Sequence, residues 1–147
     1  LIHSIDSLSV LQAVEKEAKK NNRVIDCLLQ FHIASEETKF GLDMQEAEQL
    51  LTSDEYKAMN HVRIVGVMGM ATNTDHRDLI RQEFRTLHQY SQELKQRFFA
   101  DADAFKEISM GMSGDYTIAL EEGSTLVRVG SSIFGARQYG IAVNDEK

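Results

Sequence analysis

Two short apolar runs, residues 108–112 and 125–129, each stop at once on small residues: Ser113 and Gly114 after the first, Gly130, Ser131 and Ser132 after the second. The segment between them is helix-sized, with Ser113 expected as its N-cap, Asp115 in its first turn and Gly123 just past its end. Strand, helix and strand in that order make a crossover unit. Small, hydroxyl-bearing residues directly after two successive strands let backbone N–H groups approach an anion closely, and a following helix N-terminus adds partial positive charge. Arg128, two residues before Gly130, stands near the end of the second run, where a strand side chain can point at whatever the anion belongs to. The residue types alone leave open that Ser113, Gly130 and Ser131 are only turn and cap residues, and that Arg128 sits in a structural ion pair.

The same alternation runs through the whole chain. Strands are expected over 1–5, 26–33 and 62–70, ahead of the two already given. A helix should begin at Ser7 with Leu8, Leu11, Val14 and Ala18 on one face, and a second at Asp43, where Glu46 completes a capping box. A helical turn over 53–59 follows. The longest helix, from about residue 75 to about 99, carries Leu79, Ile80, Phe84, Leu87, Tyr90, Leu94 and Phe98 at a 3.6-residue period. Strands alternating with helices predict an α/β fold with a parallel sheet and right-handed crossovers. Five such units, in one domain over 1–147, make a partial barrel of TIM type, whose closed form has eight. Its open edges are expected to support self-association.

Composition removes several functions. A formal net charge of −7 over 147 residues argues against sequence-independent nucleic-acid binding, which needs a basic stripe. No apolar run approaches membrane-span length and no secretory leader is read at the start, so a cytoplasmic location is expected. The chain contains no proline, has no initiating Met and opens directly on an apolar run; residues ahead of Leu1 are expected. Cys27 lies inside an apolar run and reads as a small buried hydrophobe. His3, His61, His76 and His88 lack metal-ligand spacing, and Ser113 lacks the G-x-S-x-G context of a nucleophile, so neither a metal nor a catalytic serine is expected.

The stretch SMGMSGDYTIALEEGSTLVRVGSSIFGAR, residues 109–137, resembles the C-terminal signature of the pyridoxal phosphate homeostasis proteins, whose fold is similar to the N-terminal barrel domain of alanine racemase. HSID at 3–6, LLQFHIASEETKFGL at 28–42 and VRIVGVMGMAT at 62–72 resemble that family's successive strand-end motifs. The resemblance implies the cofactor pyridoxal 5′-phosphate, with Ser113, Gly130 and Ser131 on its phosphate and Arg128 facing its pyridine nitrogen. It places Met68 and Met70 toward the pocket and Lys39, in the pattern running from Glu36, near cofactor charge. A solvated loop lysine is an equal reading of Lys39. His32 stands where many members have Asn; its imidazole could replace the amide's hydrogen bond to the ring oxygen, or be structural.

By the family's order the five strands are the fourth to eighth of the barrel. The lysine that forms the Schiff base in the family ends its first strand, and none of the eight lysines here aligns with it. The implied function is that of a non-catalytic carrier in intracellular cofactor homeostasis. Alanine racemases append a β domain that supplies a catalytic tyrosine, whereas this chain stops shortly after Gly135. Three rivals remain at this point: a racemase-like or lyase-like enzyme using the same cofactor, a cofactor-free fragment that associates through strand edges, and a barrel enzyme binding a sugar phosphate.

Overall fold

The near-continuous apolar runs become the strands of one parallel sheet, as expected where both faces of a strand are covered. The computed structural model describes residues 1–37 and 40–138. In chain order the elements are β1 (Ile2–Ile5), α1 (Leu8–Lys20), β2 (Ile25–Phe31), α2 (Met44–Thr52), α3 (Asp54–Lys57), β3 (Val62–Gly69), α4 (Arg77–Phe98), β4 (Glu107–Met112), α5 (Tyr116–Glu121), β5 (Leu126–Arg128) and α6 (Ser131–Phe134). The strands lie in the order β1-β2-β3-β4-β5, every neighbouring pair parallel.

That sheet is strongly curled. Strands three places apart in a flat sheet are about 14 Å apart, yet His3 Nδ1 on β1 lies 2.9 Å from Ser109 Oγ on β4. The five strands therefore form a half-barrel with a concave inner face. On the convex side Cys27, Leu29, Phe31, Ile64, Val67, Ile108 and Met110 pack with Leu11, Leu50, Phe84, Leu87 and Ile118 of the helices in the main core. On the concave side Leu28, Val65 and Met68 form a smaller cluster, against which Met70, Ala104 and Leu126 pack.

Local chemistry explains most element ends. Ser7 Oγ accepts from Val10 N to start α1, Asp43 and Glu46 complete the expected capping box on α2, and Ser53 Oγ accepts from Tyr56 N to start α3. β2 ends at Phe31, two residues early. Leu42 returns to the edge beyond Ile5, donating its amide to Gln30 O at 2.8 Å and accepting from His32 N at 3.0 Å. Gly41 makes that return possible: its φ is 144°, and a Cβ there would lie 2.3 Å from His32 N.

Three other expectations are corrected. Ser113 does not cap α5; Asp115 holds the N-cap position, and its carboxylate folds back to accept from Met112 N at 2.7 Å. β5 is three residues long rather than five, because Thr125 uses its hydroxyl to accept from Ile108 N at 2.8 Å before the strand begins. The small residues after β5 do not remain a turn but wind into α6. Gly123, with φ 98°, does lie just past α5. Cys27 is fully buried, and burial pushes its thiol up to about 11, far from any reactive thiolate.

The face opposite the strand C-termini is stapled by Glu15 of α1. Its carboxylate accepts from Asn60 N (3.1 Å), His61 N (2.8 Å) and His61 Nδ1 (3.0 Å), tying the entry of β3 to α1. Burial works against the ionised carboxyl, but the His61 hydrogen bond and the two amides prevail and hold its pKa below the ordinary value. A carboxyl lowered on folding stabilises above its unfolded pKa, and that stability is lost as pH falls through the folded value. Glu15→Ala is expected to cost about 1–3 kcal/mol at pH 7, read as a lower urea midpoint, with the difference from wild type shrinking below about pH 4. Equal midpoints at pH 7 would mean that the staple contributes nothing.

Candidate functional site

Because all five strands run the same way, their C-terminal ends meet on one rim, where ligands bind in parallel α/β sheets. Ser113 follows β4 directly. Gly130 and Ser132 follow β5 across the rim, and both donate backbone N–H groups to Ser113 Oγ, at 3.1 and 3.2 Å. Ser131 lies between them and opens α6. Two converging amides thus share one oxygen acceptor. An anion arriving there offers better acceptors, and frees the serine hydroxyl to donate its own proton.

Gly130 has no structural reason to be glycine. Its φ is −117°, open to any residue, and a Cβ would meet nothing within 4 Å. The contrast is Gly66, whose Cβ would lie 1.9 Å from Glu107 O. The fold would therefore accept a side chain at Gly130, so its glycine is free to serve close approach by a ligand.

Arg128, the last residue of β5, turns into the concave side and donates from Nη2 to Gly69 O at 3.1 Å, at the end of β3. Its Nε is sealed from solvent and has no acceptor among the described residues. Leaving such a donor unmet costs roughly 1–3 kcal/mol, which marks the guanidinium as a group awaiting an acceptor. Burial lowers its pKa, while the charge of Asp115 acts the other way; guanidinium remains protonated at neutral pH regardless. Met70 follows Gly69 and packs on the inner cluster with Met68, so it stands beside Arg128 in the wall.

His32 comes directly after β2, half-buried, its amide fixed on Leu42 O. The structure thus brings together Ser113, Gly130 and Ser131 on one side and Arg128 with Met70 on the other; His32 sits on the same rim at the next strand end. Lys39 lies outside the described residues. Reading the sequence for sites missed the His3–Ser109 pair beneath the rim. His3 has its pKa lowered by burial and then by the Arg128 charge, so a neutral imidazole faces the fully buried Ser109. Only their inward positions on two strands could have signalled it.

The chain is similar to known proteins along almost its whole length. The family described as alanine racemase, N-terminal domain, matches residues 1–138. Pyridoxal phosphate homeostasis proteins of Aquifex aeolicus and Vibrio alginolyticus are 35% and 31% identical, over 95% and 94% of this chain. The chain spans 59% and 57% of their lengths. Among solved structures, PipY of Synechococcus elongatus without PLP superposes with a TM-score of 0.80 at 29% identity, covering 91% of this chain and 60% of that one. The same protein with PLP bound gives 0.74 at 28% identity. An alanine racemase from Bartonella henselae, 16% identical with a TM-score of 0.56, shares the fold. The chain belongs to the alanine racemase N-terminal domain family.

Proposed function

We propose that this chain carries the phosphate and ring-nitrogen contacts of a pyridoxal 5′-phosphate-binding protein that holds and delivers the cofactor in intracellular homeostasis without turning it over. The observation that carries the reading is the pair of amides, Gly130 N and Ser132 N, converging on Ser113 Oγ in front of a glycine whose missing side chain leaves open space. The residues fit the group. A phosphate takes the two N–H donors and the Ser113 hydroxyl, with Ser131 alongside. The orphaned edge of Arg128 suits an acceptor such as a pyridine nitrogen. Met70 and Met68 wall the ring, His32 serves its phenolic oxygen, and Lys39 adds positive charge nearby. The names of the relatives and the PLP-bound PipY structure support the choice of ligand.

When bound, the cofactor supplies an aldehyde and an electron-withdrawing ring. Arg128 cannot give a proton away at neutral pH, so it keeps the ring nitrogen unprotonated and weakens that electron sink. Holding and release are thereby favoured over decarboxylation or transamination. In this reading the chain is one domain, its strands are the fourth to eighth of an eight-stranded barrel, and the unpaired edges of β1 and β5 join further strands or a second copy. No lysine among the described residues ends a strand.

Titration of the chain with pyridoxal 5′-phosphate and with pyridoxal, followed by absorbance and by mass after borohydride, tests this. Saturable binding of the phosphate form is expected, tighter than pyridoxal by on the order of tenfold or more, the worth of one charge-assisted hydrogen bond. Equal affinity for the two, or none for either, would contradict the reading.

A further inference from the structure

Glu83 is an anomaly of α4: a carboxylate on the helix face turned to the core, only 6% exposed. Burying an ionised group is costly unless its oxygens are satisfied. Here both are, by one residue. Oε1 accepts from Thr72 N at 2.7 Å and Oε2 from Thr72 Oγ1 at 2.8 Å. A carboxylate only accepts, so the threonine hydroxyl must spend its proton on Glu83 and turn a lone pair elsewhere. That lone pair accepts from Ser35 N at 2.8 Å. A second link runs beside it, Asn73 N donating to Glu36 Oε1 at 2.7 Å.

We propose that Glu83 is a positioning residue that, through Thr72, locks the loop after β2 to the loop after β3 and so presets the rim of the cofactor site. The inference rests on the functional reading above. The locked loops follow directly on His32 and Met70, and Gly69, three residues before Thr72, is where Arg128 is anchored. The relay Glu83–Thr72–Ser35 therefore sets the distance between the His32 side of the rim and the Arg128 side. Its polarity is fixed at one end by a group that cannot donate, which is why neither an apolar residue nor a lysine at position 83 would do the same work.

The test compares wild type, Thr72→Val and Thr72→Ser in two measurements on the full chain. The first is amide hydrogen exchange at Ser35 without ligand; the second is affinity for pyridoxal 5′-phosphate and for inorganic phosphate. Thr72→Val keeps the shape and removes the relay. It is expected to speed exchange at Ser35 by roughly fivefold or more, the worth of one net hydrogen bond. It should weaken pyridoxal 5′-phosphate by a similar factor and leave inorganic phosphate, bound at Ser113, Gly130, Ser131 and Ser132 away from the locked loops, unchanged. Thr72→Ser should preserve all three values. If Thr72→Val fails to fold, Thr72→Ala gives the same comparison, since it keeps Thr72 N on Glu83 Oε1 and removes the hydroxyl that accepts from Ser35 N. Unchanged exchange at Ser35, or an unchanged affinity for pyridoxal 5′-phosphate beside faster exchange, overturns the positioning role. Failure of wild type to bind pyridoxal 5′-phosphate overturns the functional reading and the rim's role with it, whatever the exchange rates show.

Discussion

Gly66→Ala is expected to unfold the protein. Gly66 sits inside β3 opposite Glu107, at the first rung of the β3–β4 ladder. A methyl group on it would lie 1.9 Å from Glu107 O, 2.6 Å from its carbonyl carbon and 2.9 Å from its Cα. All three are backbone atoms of the neighbouring strand, so no rotamer change relieves the clash. The strands would have to part at a central pair of the sheet, between the elements that carry most of the core. A cost of more than about 4 kcal/mol is expected, against a total stability of about 5–15 kcal/mol for a domain of this kind. Circular dichroism and urea titration at 25 °C would show a largely unfolded chain or a midpoint close to zero. A cooperative transition near that of wild type would mean that the β3–β4 spacing in this structure is wrong.

Gly130→Ala should do the reverse, leaving the fold intact and damaging binding. The added methyl meets no protein atom and the backbone angles suit alanine, so the urea midpoint should match that of wild type. In the proposed site the phosphate approaches this same backbone closely, so the methyl is expected to crowd it. Forcing a methyl into a close contact costs about 1–3 kcal/mol, so affinity for pyridoxal 5′-phosphate should fall roughly 10- to 100-fold. Fluorescence or absorbance titration of the folded variant gives the number. A loss of stability with affinity kept would assign Gly130 to the fold and remove it from the site.

The two glycines show how much was legible in the sequence. That Gly66 and Gly130 both stand at crowded or approached backbone could be read from their places in and after apolar runs. Which of them serves the fold and which a ligand could not, because the answer lies in Glu107 for one and in empty space for the other. Strands, helices and the Asp43–Glu46 cap follow local rules of period and spacing, and these were legible. Ser113 was read both as a helix cap and as a phosphate contact; the cap belongs to Asp115, and the Ser113 hydroxyl accepts from amides 17 and 19 residues away, a partnership no local rule signals. His3 with Ser109, 106 residues apart, depends on the curl of the sheet. Glu83 falls on the core face of an amphipathic helix, where charge is normally assigned to solvent, so its bond to Thr72 left no trace in the pattern.

The central claim is that the space before Gly130 is a phosphate site. Its most direct test is the ratio of affinities for pyridoxal 5′-phosphate and pyridoxal, measured in wild type and in Gly130→Ala under the same conditions. The phosphate preference of wild type, on the order of tenfold or more, should collapse toward one in the variant, with pyridoxal affinity little changed. A preference that survives Gly130→Ala at full strength would place the phosphate elsewhere and contradict the account.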